Sequence, residues 1–211
     1  MKKFDGIIFD IDGTLTSTNQ LIFDSFNFIL RKYMNKTLTP SEIIALFGPT
    51  EDQIIEGWFP ENHEEVKKDY YQYYTDNHGI AALYPGIKEL LAELKSSGVK
   101  LSIFTGKGRS AAMITLEKLH ILDYFDHVVT GTDVTNHKPS PEGILKFLDE
   151  YKISKDRAVM IGDAIADIKA ARGAGVKVIS VLWDSYGKED ILKNGSDAIV
   201  HTVEELRGLL L

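Results

Sequence analysis

Hydrophobic and polar positions alternate along the chain in two regimes. Phe4 to Phe9 is a short apolar run, rich in β-branched and aromatic residues, stopped by Asp10 and the turn-forming pair Asp12-Gly13. Such a run predicts a buried strand, here with acids at its carboxyl end. From about Asn19 to Tyr33, apolar Ile22, Phe26, Ile29, Leu30 and Tyr33 recur at helical spacing, with Asn19 as the expected N-cap. Further helices are predicted at Ser41 to Phe47, Glu51 to Trp58 and Glu61 to Asn77, punctuated by Gly48-Pro49 and Phe59-Pro60. No strand stands out among them, so residues 16–81 read as an all-helical insert.

Beyond the insert the pattern switches to strands alternating with helices. Pro85 and Gly98 bracket a helix through Leu90, Leu91 and Leu94, and Val99 to Phe104 reads as a strand. A helix near Arg109 to Leu119, a strand near His127 to Val129 and a helix from Pro141 to Tyr151 follow. Strands at Ala158 to Ile161 and Val176 to Val181 flank a helix at Ile165 to Ala174, and a short strand and helix end the chain. Alternation of this kind predicts a Rossmann-like α/β core, a parallel sheet with helices on both faces. The expected division is a core of residues 1–15 and 82–211 with a helical cap at 16–81.

Composition narrows the class. With 44% hydrophobic and 26% charged residues the chain matches soluble globular proteins, and its 211 residues suffice for a full core. A net charge of -7 opposes a sequence-independent grip on nucleic acid. No cysteine is present, which removes disulfides and thiolate chemistry and is compatible with a cytoplasmic location. No apolar run is long enough for a signal sequence or a membrane span, and oligomeric state is not legible.

In open parallel sheets the functional site lies at the carboxyl ends of the strands. The polar residues expected there are Asp10 and Asp12 after the first strand, Thr105, Gly106 and Lys107 after the second, Lys138 beyond the third, and Asp163 and Asp167 after the fourth. Crowded carboxylates repel, and the conflict is relieved by a raised pKa or by a cation between them. Acids converging without Cys or His favour a hard, oxygen-ligated metal, and Mg2+ is usual at phosphate sites. Lys138 supplies a positive donor, while Thr105 and the Gly106 N–H can hydrogen-bond a transferring group. Lys107 stands at the same edge, as a member of the site or as an idle exposed lysine. The six histidines show no metal spacing, and the run Tyr70, Tyr71, Tyr73, Tyr74 reads as helix packing.

Four ordered motifs resemble those of the haloacid dehalogenase superfamily, in its phosphatase branch with an inserted helical cap of the first type. They are Phe9-Asp10-Ile11-Asp12-Gly13-Thr14-Leu15, Thr105, Lys138-Pro139, and Gly162-Asp163 with Asp167, and the match spans essentially the whole chain. Thr105-Gly106-Lys107 and Val181-Leu182-Trp183 also resemble phosphoglycolate phosphatases and related pyrophosphatases. The resemblance implies that Asp10 attacks phosphorus to give an aspartyl-phosphate. It implies that Asp12 protonates the leaving oxygen and then activates water. It further implies Mg2+ on Asp10, the carbonyl of Asp12 and Asp163, with Asp167 orienting Lys138 or a metal-bound water.

The expected substrate is a small phosphorylated metabolite or pyrophosphate. The loop Leu46-Phe47-Gly48-Pro49-Thr50, expected to face the site, carries no arginine to clamp a carboxylate, which weakens phosphoglycolate. A phosphosugar mutase shares the same motifs. A phospho-accepting receiver module, the rival from another class, also uses acids and a lysine on a parallel sheet, but lacks a helical insert.

Overall fold

The structure, a computed structural model, describes residues 3–211. Six strands, β1 (Gly6–Phe9), β4 (Lys100–Phe104), β5 (His127–Val129), β6 (Ala158–Gly162), β7 (Lys177–Val181) and β8 (Ala198–Val200), form one parallel sheet in the order β5-β4-β1-β6-β7-β8. Strand β1 pairs Phe9 with Ile103 on one side and with Ile161 on the other. The chain winds outward from β1 through β4 to β5, then crosses back to β6. The point of reversal therefore lies at the carboxyl end of β1, where such sheets open a crevice.

Alternation along the strands divides the core. Ile7 and Phe9 of β1 face one side, together with Leu101 and Ile103 of β4. That side is covered by α5 (Ile87–Ser96), α6 (Arg109–Lys118) and α10 (Val203–Leu210), through Leu91, Leu116 and Leu206. Ile8 and Met160 face the other side, against α7 (Glu142–Tyr151), α8 (Ile165–Ala174) and α9 (Lys188–Asn194) through Phe147, Ile168 and Ile191. Both faces of the central strands are buried, which explains their unbroken apolar runs.

Between β1 and β4 lies the helical segment: α1 (Asn19–Met34), α2 (Pro40–Ile44), α3 (Glu51–Trp58) and α4 (His63–Asp76). It has its own buried cluster, in which Phe26 packs on Trp58 and Tyr70 at ring separations of 5.6 and 5.0 Å. Ala111 of α6 belongs to that cluster too, so the segment is packed onto the sheet domain rather than tethered beside it. Tyr74 and His78 join it to α6 through the Thr115 hydroxyl, at 2.8 and 3.2 Å.

Two expectations need correction, and one helix lies outside them. The span 16–81 is not wholly helical: β2 (Thr16–Ser17) pairs antiparallel with β3 (Ala82–Leu83), where the chain leaves and re-enters the core. A two-residue ribbon carries no periodicity to read. Asn19 is not the N-cap of α1; Thr18 holds that place and makes no side-chain cap, its hydroxyl being given to Asp12 instead. Helix α9 was not anticipated, because Ile191 is its one buried residue and no apolar stripe marks it.

Candidate active site

The end of β1 places Asp10 in the crevice. Its N–H donates to the Ile161 carbonyl at 2.9 Å, which continues the pairing with β6, and its side chain turns over the sheet edge. Gly13, at φ +77°, then reverses the chain, and a Cβ there would stand 2.3 Å from Oδ2 of Asp163. The glycine is thus required by backbone and by space. Thr14 donates to Oδ1 of Asp163 at 3.1 Å, tying the first loop to the end of β6.

Lys138 enters from the loop after β5, through a cis Lys138–Pro139 bond. Its Nζ lies 3.0 Å from Oδ1 of Asp10 and donates to Oδ1 of Asp167 at 2.6 Å. Asp167 also accepts from the Ala164 N–H at 3.1 Å, and a Cβ at Gly162 would fall 2.2 Å from its Oδ2. The carboxylate is therefore wedged where it fixes the lysine. Burial, first of all, pushes the Asp10 carboxyl up to about 6; Lys138 opposes the shift, while Asp167 and Asp12 add to it. Asp163 is pushed well above the ordinary carboxylate range, by burial and then by the charges of Asp10 and Asp167. Burial opposes the charge on Lys138, but the two adjoining carboxylates outweigh it and keep the ammonium protonated.

Asp12 faces a second lysine. Thr18 donates to its Oδ1, and Nζ of Lys107 lies 3.2 Å from its Oδ2. Lys107 is not an exposed lysine: it is 6% exposed, lies over the Tyr74 ring and donates to Oε1 of Glu51 at 3.3 Å. The other oxygen of Glu51 accepts from the Gly108 N–H at 2.7 Å, at the start of α6. Glu51 is the first residue of α3, held in place by the capping pair Thr50 and Gln53. A carboxylate of the helical segment therefore reaches into the sheet domain, a role that no local pattern announced. The hint was an acid directly after the Gly48-Pro49-Thr50 loop.

Thr105 is buried, its N–H donating to Val129 and its hydroxyl accepting from the Lys107 N–H at 3.2 Å. Gly106 borders open space. All the residues singled out from the sequence except Asp167 line one cavity of about 660 Å3, and Asp167 lies buried behind it, on Lys138. The opposite wall comes from the helical segment.

The acids also suit a cation. Ligand oxygens of Asp10, Asp163 and Asp167 lie within 4.8 Å of one another. Oδ1 of Asp10 is buried and makes no well-formed hydrogen bond, its one close neighbour being the ion-paired Nζ of Lys138 at 3.0 Å. A buried anionic oxygen so placed, beside two further carboxylates and no sulfur or imidazole, fits a hard divalent ion. A second trio, Glu56, His63 and Glu64, lies at the exposed end of the helical segment.

Among known proteins, a family model described as haloacid dehalogenase-like hydrolase matches residues 7–181. The PpaX protein of Caldanaerobacter subterraneus subsp. tengcongensis is 32% identical over 205 residues, 97% of this chain and 93% of that one. Pyrophosphatase PpaX of Bacillus thuringiensis strain Al Hakam is 30% identical, covering 99% of this chain and 97% of its own. Among solved structures, a predicted phosphoglycolate phosphatase from Haemophilus somnus 129Pt superposes over the full length of both chains, with a TM-score of 0.88 at 23% identity. CbbY from Rhodobacter sphaeroides, in complex with phosphate, reaches 0.82 at 24% identity over 96% of each chain. Those two likenesses bear on the fold, whereas the family model spans most of the sequence and the curated relatives nearly all of it. The chain belongs to the haloacid dehalogenase-like hydrolases.

Proposed function

We propose that this chain is a magnesium-dependent phosphohydrolase, acting on a small phosphate ester or anhydride through an aspartyl-phosphate formed on Asp10. The observation that carries this reading is the floor of the cavity, where buried Asp10 sits between Lys138 and Asp163 with Thr105 and Gly106 alongside. The names of the PpaX relatives agree with it.

Asp10 is the nucleophile: one carboxylate oxygen bonds to phosphorus as the bond to the leaving oxygen breaks. Lys138, Thr105 and the Gly106 N–H hold the phosphoryl oxygens and offset their charge. Asp12, at the edge facing the helical segment, gives a proton to the leaving oxygen and later takes one from the water that releases phosphate. Asp167 is a positioning residue, since its contacts are to Lys138 and the α8 backbone. Mg2+ would be held by Asp10, Asp163 and the carbonyl of Asp12, and when bound would offset the repulsion between nucleophile and phosphate. Residues 16–81 serve as the cap that shields the site from water, over a core of 1–15 and 82–211.

Incubation with p-nitrophenyl phosphate, with and without Mg2+, tests the reading. Sustained, Mg2+-dependent release of phosphate is expected. One equivalent of stable phosphoprotein without turnover would indicate a phospho-accepting module instead.

A further inference from the structure

The reactive groups occupy one wall of the cavity, and the leaving group must lie against the other. That other wall, from the helical segment, is mainly apolar, through Ile22, Phe26, Ile44, Phe47, Pro49 and Ile54, with Asn19 and Glu51 its polar members. Among the described residues lining the cavity, the cations are Lys107 and Lys138. Each already stands between two carboxylates, Lys107 between Asp12 and Glu51, Lys138 between Asp10 and Asp167. Asp190 also lines the space, as a further carboxylate. A leaving group that carries a phosphate or carboxylate would thus exchange water for an apolar wall, with no uncommitted side-chain cation among the described lining residues beside it. Burying an unpaired charge in this way is strongly unfavourable.

We infer that the preferred substrate is a phosphate monoester whose leaving group is an uncharged, largely apolar alcohol, and that Glu51 enforces this choice by occupying Lys107. Asn19 and Tyr186, which also border the cavity, leave room for one or two neutral hydrogen bonds to such an alcohol. The inference rests on the phosphohydrolase reading and narrows it: pyrophosphate and phosphoglycolate become poor substrates. Among the described residues lining the cavity, Lys107 is the cation nearer the helical segment, placed to meet an anionic leaving group. Its pairing with a carboxylate of the helical segment removes that possibility whenever the segment is seated as seen here.

Benzyl phosphate and phosphoglycolate form a matched pair, since both release a primary alcohol and differ in phenyl against carboxylate. In Mg2+, kcat/KM for benzyl phosphate should exceed that for phosphoglycolate and for pyrophosphate by at least about tenfold. Equal or better turnover of either anion overturns the inference while leaving the phosphohydrolase reading intact. No turnover of benzyl phosphate overturns the inference, and the phosphohydrolase reading falls with it only where p-nitrophenyl phosphate is not turned over either. Two variants test the charge argument directly. Phe47→Arg adds a cation at a half-exposed position on the apolar wall, where folding is not at stake. Glu51→Gln frees Lys107 from one of its two carboxylates. Each should raise the phosphoglycolate to benzyl phosphate ratio of kcat/KM by about tenfold. A ratio unchanged in both variants would show that charge at this wall does not select the substrate.

Discussion

Asp10 shows how, at a single residue, burial among other carboxylates opposes stability. A carboxyl that ionises near 6 when folded, against 3.8 when free, binds more protons in the folded state. Stability from this group is therefore greatest below pH 3.8 and falls as pH rises through about 6, leaving a cost of up to about 3 kcal/mol at neutral pH in the metal-free protein. Asp10→Asn removes the charge while Asp167 keeps Lys138 paired. The variant should release no phosphate, yet its Tm in EDTA at pH 7.5 should rise by a few degrees. A lower Tm would contradict the crowding account, and surviving activity would remove Asp10 as nucleophile. Gly13 carries the opposite expectation. Gly13→Ala must hold a side chain at φ +77° and displace Asp163, so it should lose at least about 1–2 kcal/mol in urea denaturation together with Mg2+-dependent activity. An alanine variant with ordinary stability would show that the turn has room the geometry denies.

Among the elements, α4 carries the tyrosine run, and its members differ in a way only packing reveals. The Tyr70 hydroxyl is buried with no partner, whereas that of Tyr74 meets Thr115 at 2.8 Å. Tyr70→Phe removes an unsatisfied polar group and should stabilise by about 1 kcal/mol; Tyr74→Phe leaves Thr115 short of a partner and should cost a similar amount. Equal effects from the two changes would refute the distinction. The same contrast explains what could be read in advance. Strands β1, β4, β6 and β7 declared themselves because burial on both faces demands unbroken apolar runs, and their ends placed Asp10, Thr105 and Asp163 at one edge. Helix α1 was legible from Ile22, Phe26 and Ile29, but its first turn was not, because Thr18 answers to Asp12 rather than to the helix. The pairing of Glu51 with Lys107 was beyond reach for a related reason: the two are 56 residues apart and meet only because the helical segment is packed onto α6 through α4.

The whole molecule depends on that seating, and one joint of it is sensitive to pH. His78 is buried where the helical segment meets α6, with its Nε2 3.2 Å from the Thr115 hydroxyl and its ring against Tyr74. Burial lowers its pKa from the ordinary 6.5, the positive charges of Lys107 and Lys118 lower it further, and Asp12 acts weakly the other way. The folded state thus keeps the imidazole neutral, while the unfolded chain takes up a proton as pH falls below 6.5. The contribution of His78 to stability is whole above pH 6.5 and shrinks as acid is added, until the folded imidazole is itself protonated. Asp10 and Asp163 respond in the opposite sense, so the total curve does not isolate the joint. The difference between wild type and His78→Gln does, because the carboxylates are common to both. Urea midpoints at pH 7.5, 6.5 and 5.5 should show the wild type ahead at the highest pH, through its hydrogen bond to Thr115, and losing ground to the variant toward the lowest. Parallel curves would mean that His78 is not held neutral by its surroundings, and that the seating of the helical segment is indifferent to its charge.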